Sequence, residues 1–586
     1  ADLAQAISAH AASGLSGARA LMVLSICRSC RCCRRRHAGD GTQRETREYQ
    51  LWLLRKMVER IEEAKASGEV DKGGIGRETF IIDHRKPIDN FYEIESLKIG
   101  EGSYGRVCKC LNKSTGGARA VKILNKYGRH LQVEKIAKEI QMLKEMDHPN
   151  IVRMFETFED KKCVYIVTEL CAGGEVFDKL LEVSKFTELQ SAILMKQVFR
   201  AVFYMHEKSV CHRDLKIENF CLCRLGPLED NAIKIIDFGS ARFFEPKQSM
   251  TSKVGAPYFI APQVLLGRYN ESCDMWTLGV VMYVMMCGYP PFFGDSDAEI
   301  LARVRVGNFQ FNAGDWKHIS TEAKDMIRWL LKLNQEDRLT ARDALKHAWL
   351  LKKAPQRWEP IKLRYIDNLR NYSKANMLKR AAIHMICGQL EDEYTKPHVD
   401  MFMMLDESGE GSLNAKEIRE GMIKAGMSDE IPADLADVIR QVDADGSGEI
   451  DYSEFLAATL DQRVYCREEP CWGAFRVFDS GGDGLIGDRE LSWALSKGVP
   501  TQMWSREACK EYIRMVDEDG DRRVNFAEFM HMMKGETDLE RFVKKKRKRK
   551  KPGATKDELG GLVTDQEAGD KSGSQPGPAD EVADQV

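Results

Sequence analysis

The sequence has no run approaching the roughly 20 apolar residues that a membrane-spanning helix requires. The apolar stretch from Ala20 to Ile26 is far shorter, and basic residues follow it. A cleaved secretory leader carries its positive charge before the apolar run, so that class of leader is not expected. Net charge is nearly absent as well, with 88 Lys and Arg against 90 Asp and Glu. That balance argues against a dedicated nucleic-acid coat, which needs a basic excess to neutralise phosphates. No disulfide framework is visible. The 17 cysteines are scattered, without even spacing and without facing CxxC motifs, as expected of reduced thiols. Together these absences predict a cytoplasmic location, including the cytoplasmic face of a membrane.

What is present is segregated along the chain. At 586 residues the length suits three or four domains of about 150 residues each, and a hydrophobic share of 43% is enough for large cores. Residues 1–90 read as an Ala- and Arg-rich extension ending in a helix with Leu51, Leu54, Val58 and Ile61 on one face. Residues 91–350 alternate strand-like and helix-like segments. Residues 355–395 are basic and amphipathic, and 396–535 carry recurring acidic loops. The basic run Lys544 to Lys551 then opens a tail, 536–586, too polar to fold alone.

The alternating region begins with Gly100-Glu101-Gly102-Ser103-Tyr104-Gly105-Arg106-Val107. Glycines at this spacing let a strand–turn–strand backbone close over phosphates. Alone the string also fits a dinucleotide fold, but the apolar residues after Val107 continue as a strand rather than a helix. Ala120-Val121-Lys122 then ends a strand, at the spacing of a lysine that holds α- and β-phosphates. Glu139, on an amphipathic helix before His148-Pro149-Asn150, is its expected ion-pair partner. His212-Arg213-Asp214-Leu215-Lys216 runs on to Asn219, and Asp237-Phe238-Gly239 follows. This ordered set supplies a base near a substrate hydroxyl and two oxygen ligands for magnesium.

Over residues 91–350 the set resembles the eukaryotic protein kinases, and so implies a bilobal α+β fold. The resemblance implies that Asp214 accepts the hydroxyl proton, that Lys216 lies beside the transferred phosphoryl group, and that Asn219 and Asp237 hold magnesium. ATP would meet Gly100, Gly102, Gly105, Val107, Ala120, Lys122 and Glu175. The hinge from Glu169 to Cys171 would bind adenine, and Thr168 would guard the deeper pocket. Lys216 in its motif is typical of serine/threonine kinases. Glu175 and Glu218 match positions that face an arginine upstream of the phosphorylated residue; the other reading of each is a plain surface carboxylate. Two departures stand out. Ala261-Pro262-Gln263 replaces the usual Ala-Pro-Glu, so the match to its arginine, Arg338, loses an ion pair. Gly255-Ala256-Pro257 lacks the threonine that contacts the catalytic Asp, which predicts lowered turnover. Ser249, Thr251 and Ser252 lie between the two motifs, where a phosphate could pair with Arg213, or where they serve as ordinary loop residues.

Acidic loops begin at Asp406, Asp443, Asp479 and Asp517, spaced by 37, 36 and 38 residues. Such a period suits paired helix–loop–helix units. Calcium loops place oxygens at the first, third, fifth, seventh, ninth and twelfth positions, with glycine at the sixth. Loop two fits throughout: Asp443, Asp445, Ser447, Gly448, Glu449, Asp451 and Glu454, with Ile450 placed to pair loops across a short sheet. Loop one offers Asp406, Ser408, Glu410, Ser412 and Glu417. Loop three offers Asp479, Asp483, Leu485 and Glu490, but Gly481 and Gly487 remove two side-chain oxygens. Loop four offers Asp517, Asp519, Asp521, Arg523, Asn525 and Glu528, with Arg522 where the turn needs glycine. At the seventh position, Ser412, Glu449, Leu485 and Arg523 act through their carbonyls.

Between kinase and loops, Leu378, Ala382, Met385, Ile386 and Leu390 recur at helical spacing within Tyr365 to Leu390. Arg370, Lys374, Lys379 and Arg380 flank them. A basic amphipathic helix of this kind resembles a calmodulin target; its plainer role is to pack on the kinase. The whole arrangement resembles the calcium-dependent protein kinases, a bilobal kinase followed by an all-α, calmodulin-like EF-hand domain. The resemblance implies Mg-ATP and Ca2+ as cofactors. It also implies an autoinhibitory junction helix released by calcium, protein substrates with basic residues upstream of Ser or Thr, and no nucleic-acid partner. Cys27, Cys30, Cys32 and Cys33 among arginines suit S-acylation and peripheral membrane contact, although no Met-Gly start provides a myristoyl signal. Two rival readings are a non-catalytic calcium-binding scaffold and a kinase switched by external calmodulin.

Overall fold

The computed structural model describes residues 81–535 except 85, 103–104, 127–132, 246–247, 355–357, 445 and 497–503. The helix expected around Leu51, the Cys27 cluster, Asp445 and the Lys544–Lys551 run lie outside the described residues. Among the described residues no helix is long and apolar enough to cross a membrane.

The small lobe is a six-stranded sheet. Its strands are β1 (Ile82–His84), β2 (Tyr92–Gly102), β3 (Gly105–Asn112), β4 (Ala118–Asn125), β5 (Met154–Glu159) and β6 (Cys163–Glu169), in spatial order β1-β5-β6-β4-β3-β2. Only β1 runs parallel to its neighbour, pairing Ile82 with Glu156 and His84 with Phe158. The sheet covers helix α1 (Val133–Glu145), whose apolar side buries Ile136, Met142 and Leu143. The large lobe is helical. Its helix α2 (Glu188–Glu207) starts at a reciprocal cap, with Thr187 and Gln190 each bonding the other's backbone N–H. Helix α3 (Ser272–Cys287) is apolar all round and buried from Cys273 to Met286, as a helix in the centre of a domain must be.

The junction departs from the single helix read in the sequence. It forms α4 (Leu363–Ser373) and α5 (Met377–Gln389), broken where the Asn376 side chain caps α5 by accepting from Lys379 N at 2.8 Å. Arg380, expected on a solvent face, is buried. It donates to the Gln441 carbonyl at 2.6 Å and to the Ser373 carbonyl. Both helices are absorbed into the EF-hand core: Tyr365, Leu369, Leu378, Ala382, Met385 and Ile386 join Phe402, Phe455, Phe475 and Phe529 in one cluster. The kinase core is a separate cluster. Four helix–loop–helix units follow. Their loops pair two by two through short antiparallel strands, Leu413 with Ile450 and Ile486 with Val524, as the placement of Ile450 predicts.

Candidate functional site

The β2–β3 hairpin pairs Gly100 with Val107 and Gly102 with Gly105, so the glycines fall at the closed end of the hairpin. Gly105 has no room for a side chain: a Cβ there would lie 2.2 Å from the Ile123 carbonyl oxygen. One strand on, β4 delivers Lys122, whose Nζ donates to Glu139 Oε1 at 2.6 Å and to Asp237 Oδ1 at 2.9 Å. Burial opposes the charge on Lys122, but the carboxylates of Glu139 and Asp237 outweigh it and hold the ammonium above its usual range. Burial likewise works against the Asp237 carboxylate, and Lys122 keeps it below the usual range. Glu139 is pushed up by its own burial, against the pull of Lys122. The pair therefore locks α1 against the sheet in the geometry that grips a nucleotide's phosphates.

The catalytic loop is set by a residue that the sequence reading passed over. Buried Asp274 accepts from the backbone N–H of His212 at 2.9 Å and of Arg213 at 2.8 Å, and from His206 at 3.1 Å. Its signal was in the string from Asp274 through Trp276 to Gly279, where an acid opens an otherwise apolar helix. Arg213, held by Asp274, and Asp237 both take left-handed backbone conformations, with φ of 68° and 62°. Such strain persists at sites where the surroundings over-determine it. Asp214 and Lys216 stand partly exposed at the cleft. Asn219 Nδ2 donates to the Asp214 carbonyl at 2.8 Å, so its amide oxygen is turned free of that bond. With the Asp237 carboxylate this gives the oxygen chemistry that magnesium prefers.

Ala120 pairs with Thr168 and Arg119 with Glu169 across β4 and β6, which brings the strand that carries Lys122 beside the adenine hinge. The Glu169 side chain is bound to Lys234 at 2.9 Å and Arg153 N at 2.6 Å, so at this hinge residue the backbone is what remains to meet a ligand. After half-buried Cys171, Ala172 N and Gly173 N donate to the carbonyls of Cys223 and Leu222, which pins the hinge exit. Glu175 sits at the start of the next helix. Burial and the nearby Asp178 and Glu218 carboxylates push it up, and Glu218 carries a buried oxygen without a hydrogen-bond partner.

Both departures in the activation segment have structural counterparts. Gln263 Oε1 accepts from Arg338 Nη2 at 3.0 Å, leaving the buried Arg338 without a carboxylate, and burial pulls it down to about 10. A small cavity lined by Asp214, Gly255, Ala256, Cys273 and Thr277 lies where a threonine at 256 would reach. Of the three hydroxyls considered, Ser252 alone meets Arg213, its Oγ accepting from Nη1 at 2.6 Å.

The four calcium loops share one frame. The first Asp accepts from the backbone N–H groups three and five residues on: Asp406 from Gly409 and Gly411, Asp443 from Gly446 and Gly448, Asp479 from Gly482 and Gly484, and Asp517 from Gly520 and Arg522. The last Glu of each loop, 417, 454, 490 or 528, accepts from the N–H of the ninth residue. Arg522 takes the glycine conformation, φ 68°, at a cost on the order of 1 kcal/mol. Loop one carries Asp406, Ser408, Glu410, the Ser412 carbonyl, Asn414 and Glu417 at the calcium-ligand positions. Burial raises its Asp406, Glu410 and Glu417 carboxyls, a strain a cation relieves. Loop two carries Asp443, Ser447, the Glu449 carbonyl, Asp451 and Glu454 at the same positions. Loop four gathers Asp517, Asp519 and Asp521 within 4.8 Å of one another, with the Arg523 carbonyl, Asn525 and Glu528. All four loops offer oxygen donors of the kind calcium takes, and loop three is the most depleted. Gly481 and Gly487 leave Asp479, Asp483 and Glu490 as its side-chain donors, gathered within 4.8 Å of one another, with the Leu485 carbonyl, and Asp483 also accepts from Arg523.

The first EF-hand pair also docks on the kinase through residues with no local signal. Arg200 of α2, buried, donates to the carbonyls of Met403 at 2.7 Å and Asp406 at 2.9 Å. Asp147 accepts from Ser453 N at 2.9 Å. Arg153 lies over the Tyr452 ring, and Arg119 donates to the Gln389 carbonyl at 2.6 Å.

Residues 92–350 match the protein kinase domain family, and residues 398–460 and 471–534 match the EF-hand domain pair. Calcium-dependent protein kinase 3 of Plasmodium berghei (strain Anka) is 38% identical over 471 residues, covering 79% of this chain and 84% of that protein. Calcium-dependent protein kinase 5 of Plasmodium falciparum (isolate 3D7) is 37% identical over 468 residues, 79% of this chain and 81% of its own length. Calcium-dependent protein kinase 4 of the same isolate is 34% identical over 460 residues, 75% and 86%.

Proposed function

The chain belongs to the calcium-dependent protein kinases, and from that premise we propose that its own junction keeps the enzyme silent until calcium fills its own EF-hands. The enzyme is a serine/threonine protein kinase that uses Mg-ATP and Ca2+. Magnesium, when bound, neutralises charge on the phosphates. The chain's own part is positional. Lys122, fixed by Glu139, holds the phosphates. Asp214 receives the hydroxyl proton, and Lys216 faces the moving phosphoryl group.

One observation supports the switch above others. The apolar face of α5, from Leu378 to Ile386, is buried in the sensor's core. EF-hands expose such a core only when calcium opens them. Without that shelter the same face needs another cover, and its basic flanks Lys374 and Lys379 match the acidic rim of Glu175, Asp178 and Glu218. That rim supports a preference for substrates with basic residues upstream of Ser or Thr. The Cys27–Cys33 cluster among arginines supports a cytoplasmic enzyme with peripheral membrane contact. The test is phosphate transfer to a serine peptide with an upstream arginine, in calcium and in chelator, without calmodulin. Activity in calcium alone is expected. Equal activity in both would leave a kinase without this switch. Activity that needs added calmodulin would favour an external sensor.

A further inference from the structure

Arg523 stands at the seventh position of loop four, where calcium takes the backbone carbonyl and leaves the side chain unused. Its guanidinium crosses the short sheet that pairs Leu485 with Asn525 and donates to Asp483 Oδ2 at 2.8 Å. Asp483 is the fifth-position ligand of loop three. The acidic oxygens of Asp479, Asp483 and Glu490 lie within 4.8 Å of one another, so the arginine neutralises one member of that donor set from its exposed side.

The rest of loop three gives calcium little to add. A bound calcium takes six to eight oxygens, while Gly481 and Gly487 supply no side-chain oxygen at two positions. The Glu490 carboxylate already accepts from Gly481 N at 2.8 Å and Gly487 N at 3.1 Å, which closes the loop around its own backbone. Glu528 of loop four accepts from its own backbone in the same way, so the contrast with loop four lies in the other donors. There Asp517, Asp519 and Asp521 gather three carboxylates and Asn525 and Glu528 complete the set.

We propose that Arg523 is the resident cation of loop three, carried there by loop four, and that it excludes calcium from that loop. A tethered charge is present at an effective concentration of roughly millimolar, and calcium entering the depleted donor set has to displace it. The second pair then takes up one calcium, in loop four, and filling loop four fixes the backbone from which the arginine reaches across.

The experiment counts calcium bound per full-length chain, by equilibrium dialysis and by native mass spectrometry, for the wild type, Asp483→Asn, Arg523→Thr and the double variant. Arg523→Thr keeps the loop-four carbonyl and removes only the guanidinium. Asp483→Asn is expected to leave the wild-type count unchanged. Arg523→Thr is expected to raise it by one, and adding Asp483→Asn to Arg523→Thr to remove that ion again. A wild-type count that falls by one on Asp483→Asn overturns the proposal, because loop three then holds calcium. An unchanged count in Arg523→Thr overturns it too, because the glycines then suffice to keep the loop empty. Both residues are half-exposed, so the variants are expected to fold, which far-ultraviolet circular dichroism checks. The proposal rests on the calcium-sensor reading of the other loops. A chain that bound no calcium at all would defeat that reading, whereas the two results above defeat this one alone.

Discussion

The two EF-hand pairs share one loop geometry and differ in what surrounds it. In the first pair loop one is pressed against the kinase. Gly409 and Gly411 lie so close to Leu345 and Tyr204 that a Cβ would fall 2.9 and 2.7 Å from them. Arg342 stands 3.6 Å from the loop-one ligand Glu410. In the second pair the cation beside a loop ligand is the pair's own Arg523, and its helices pack on α5. Both pairs pack on the junction, and the first serves as a docking face as well. Ligand spacing alone does not distinguish these uses.

The largest effect tests whether either pair serves a live enzyme. Asp214→Asn should lower phosphate transfer by roughly 10³-fold, as expected for loss of a positioned base, with the calcium count unchanged. Loss of calcium binding in that variant would mean the site and sensor are not separable. Next comes the contrast between pairs. Glu454→Gln in loop two should cut calcium-stimulated activity on the order of 100-fold, near the upper end of typical coupling between sites. Glu490→Gln in loop three should change it less than about twofold; peptide phosphorylation at saturating calcium reads both. A smaller effect concerns docking. Arg200→Ala removes two buried bonds to the first pair, and the calcium needed for half-activation should rise about tenfold, corresponding to ~1.4 kcal/mol.

Acid should also separate the pairs. His384 on α5 and His398 in the first pair are pulled down to about 4 by burial, and His148, beneath Gly411, is lowered for the same reason. The second pair's His531 is exposed. Between the unfolded value near 6.5 and about 4, the unfolded chain binds the extra proton and the folded chain does not, so stability falls as pH drops through that window. Each histidine contributes up to roughly 1.4 kcal/mol per pH unit. Hydrogen exchange at pH 7 and pH 5 should show the first pair loosening before the second. The smallest effect is a control remote from both. Gln263→Glu gives buried Arg338 its missing counter-charge and should raise the kinase melting temperature by ~2–4 °C without moving the calcium midpoint.

How far the sequence could be read follows from where each partner lies. Lys122, Asp214, Asn219 and Asp237 were legible because the chemistry dictates both residue type and order. The calcium loops were legible because their ligands fall within a dozen residues of chain. The docking residues were not. Arg200 meets Asp406 and Arg153 meets Tyr452 across more than 200 residues, with nothing local to mark either. The junction was half legible: its apolar period gave α5, but the cap at Asn376 and the burial of Arg380 depend on carbonyls that only the folded sensor brings near. Arg523 was read as a carbonyl ligand, and its side chain gained meaning only when the sheet set it opposite Asp483.

Strand β1 has a consequence of a different kind. Without its three residues, β5 would be the outermost strand, offering a row of open N–H and C=O groups to any passing chain. Ile82 to His84 occupy that row. Asp83, bound to Lys144 at 2.6 Å and Thr157 at 2.6 Å, sets charge along the new rim, and the covering strand is too short to offer much of an edge itself. Its service is colloidal. A chain deprived of it should still fold and phosphorylate, but should self-associate as its concentration rises.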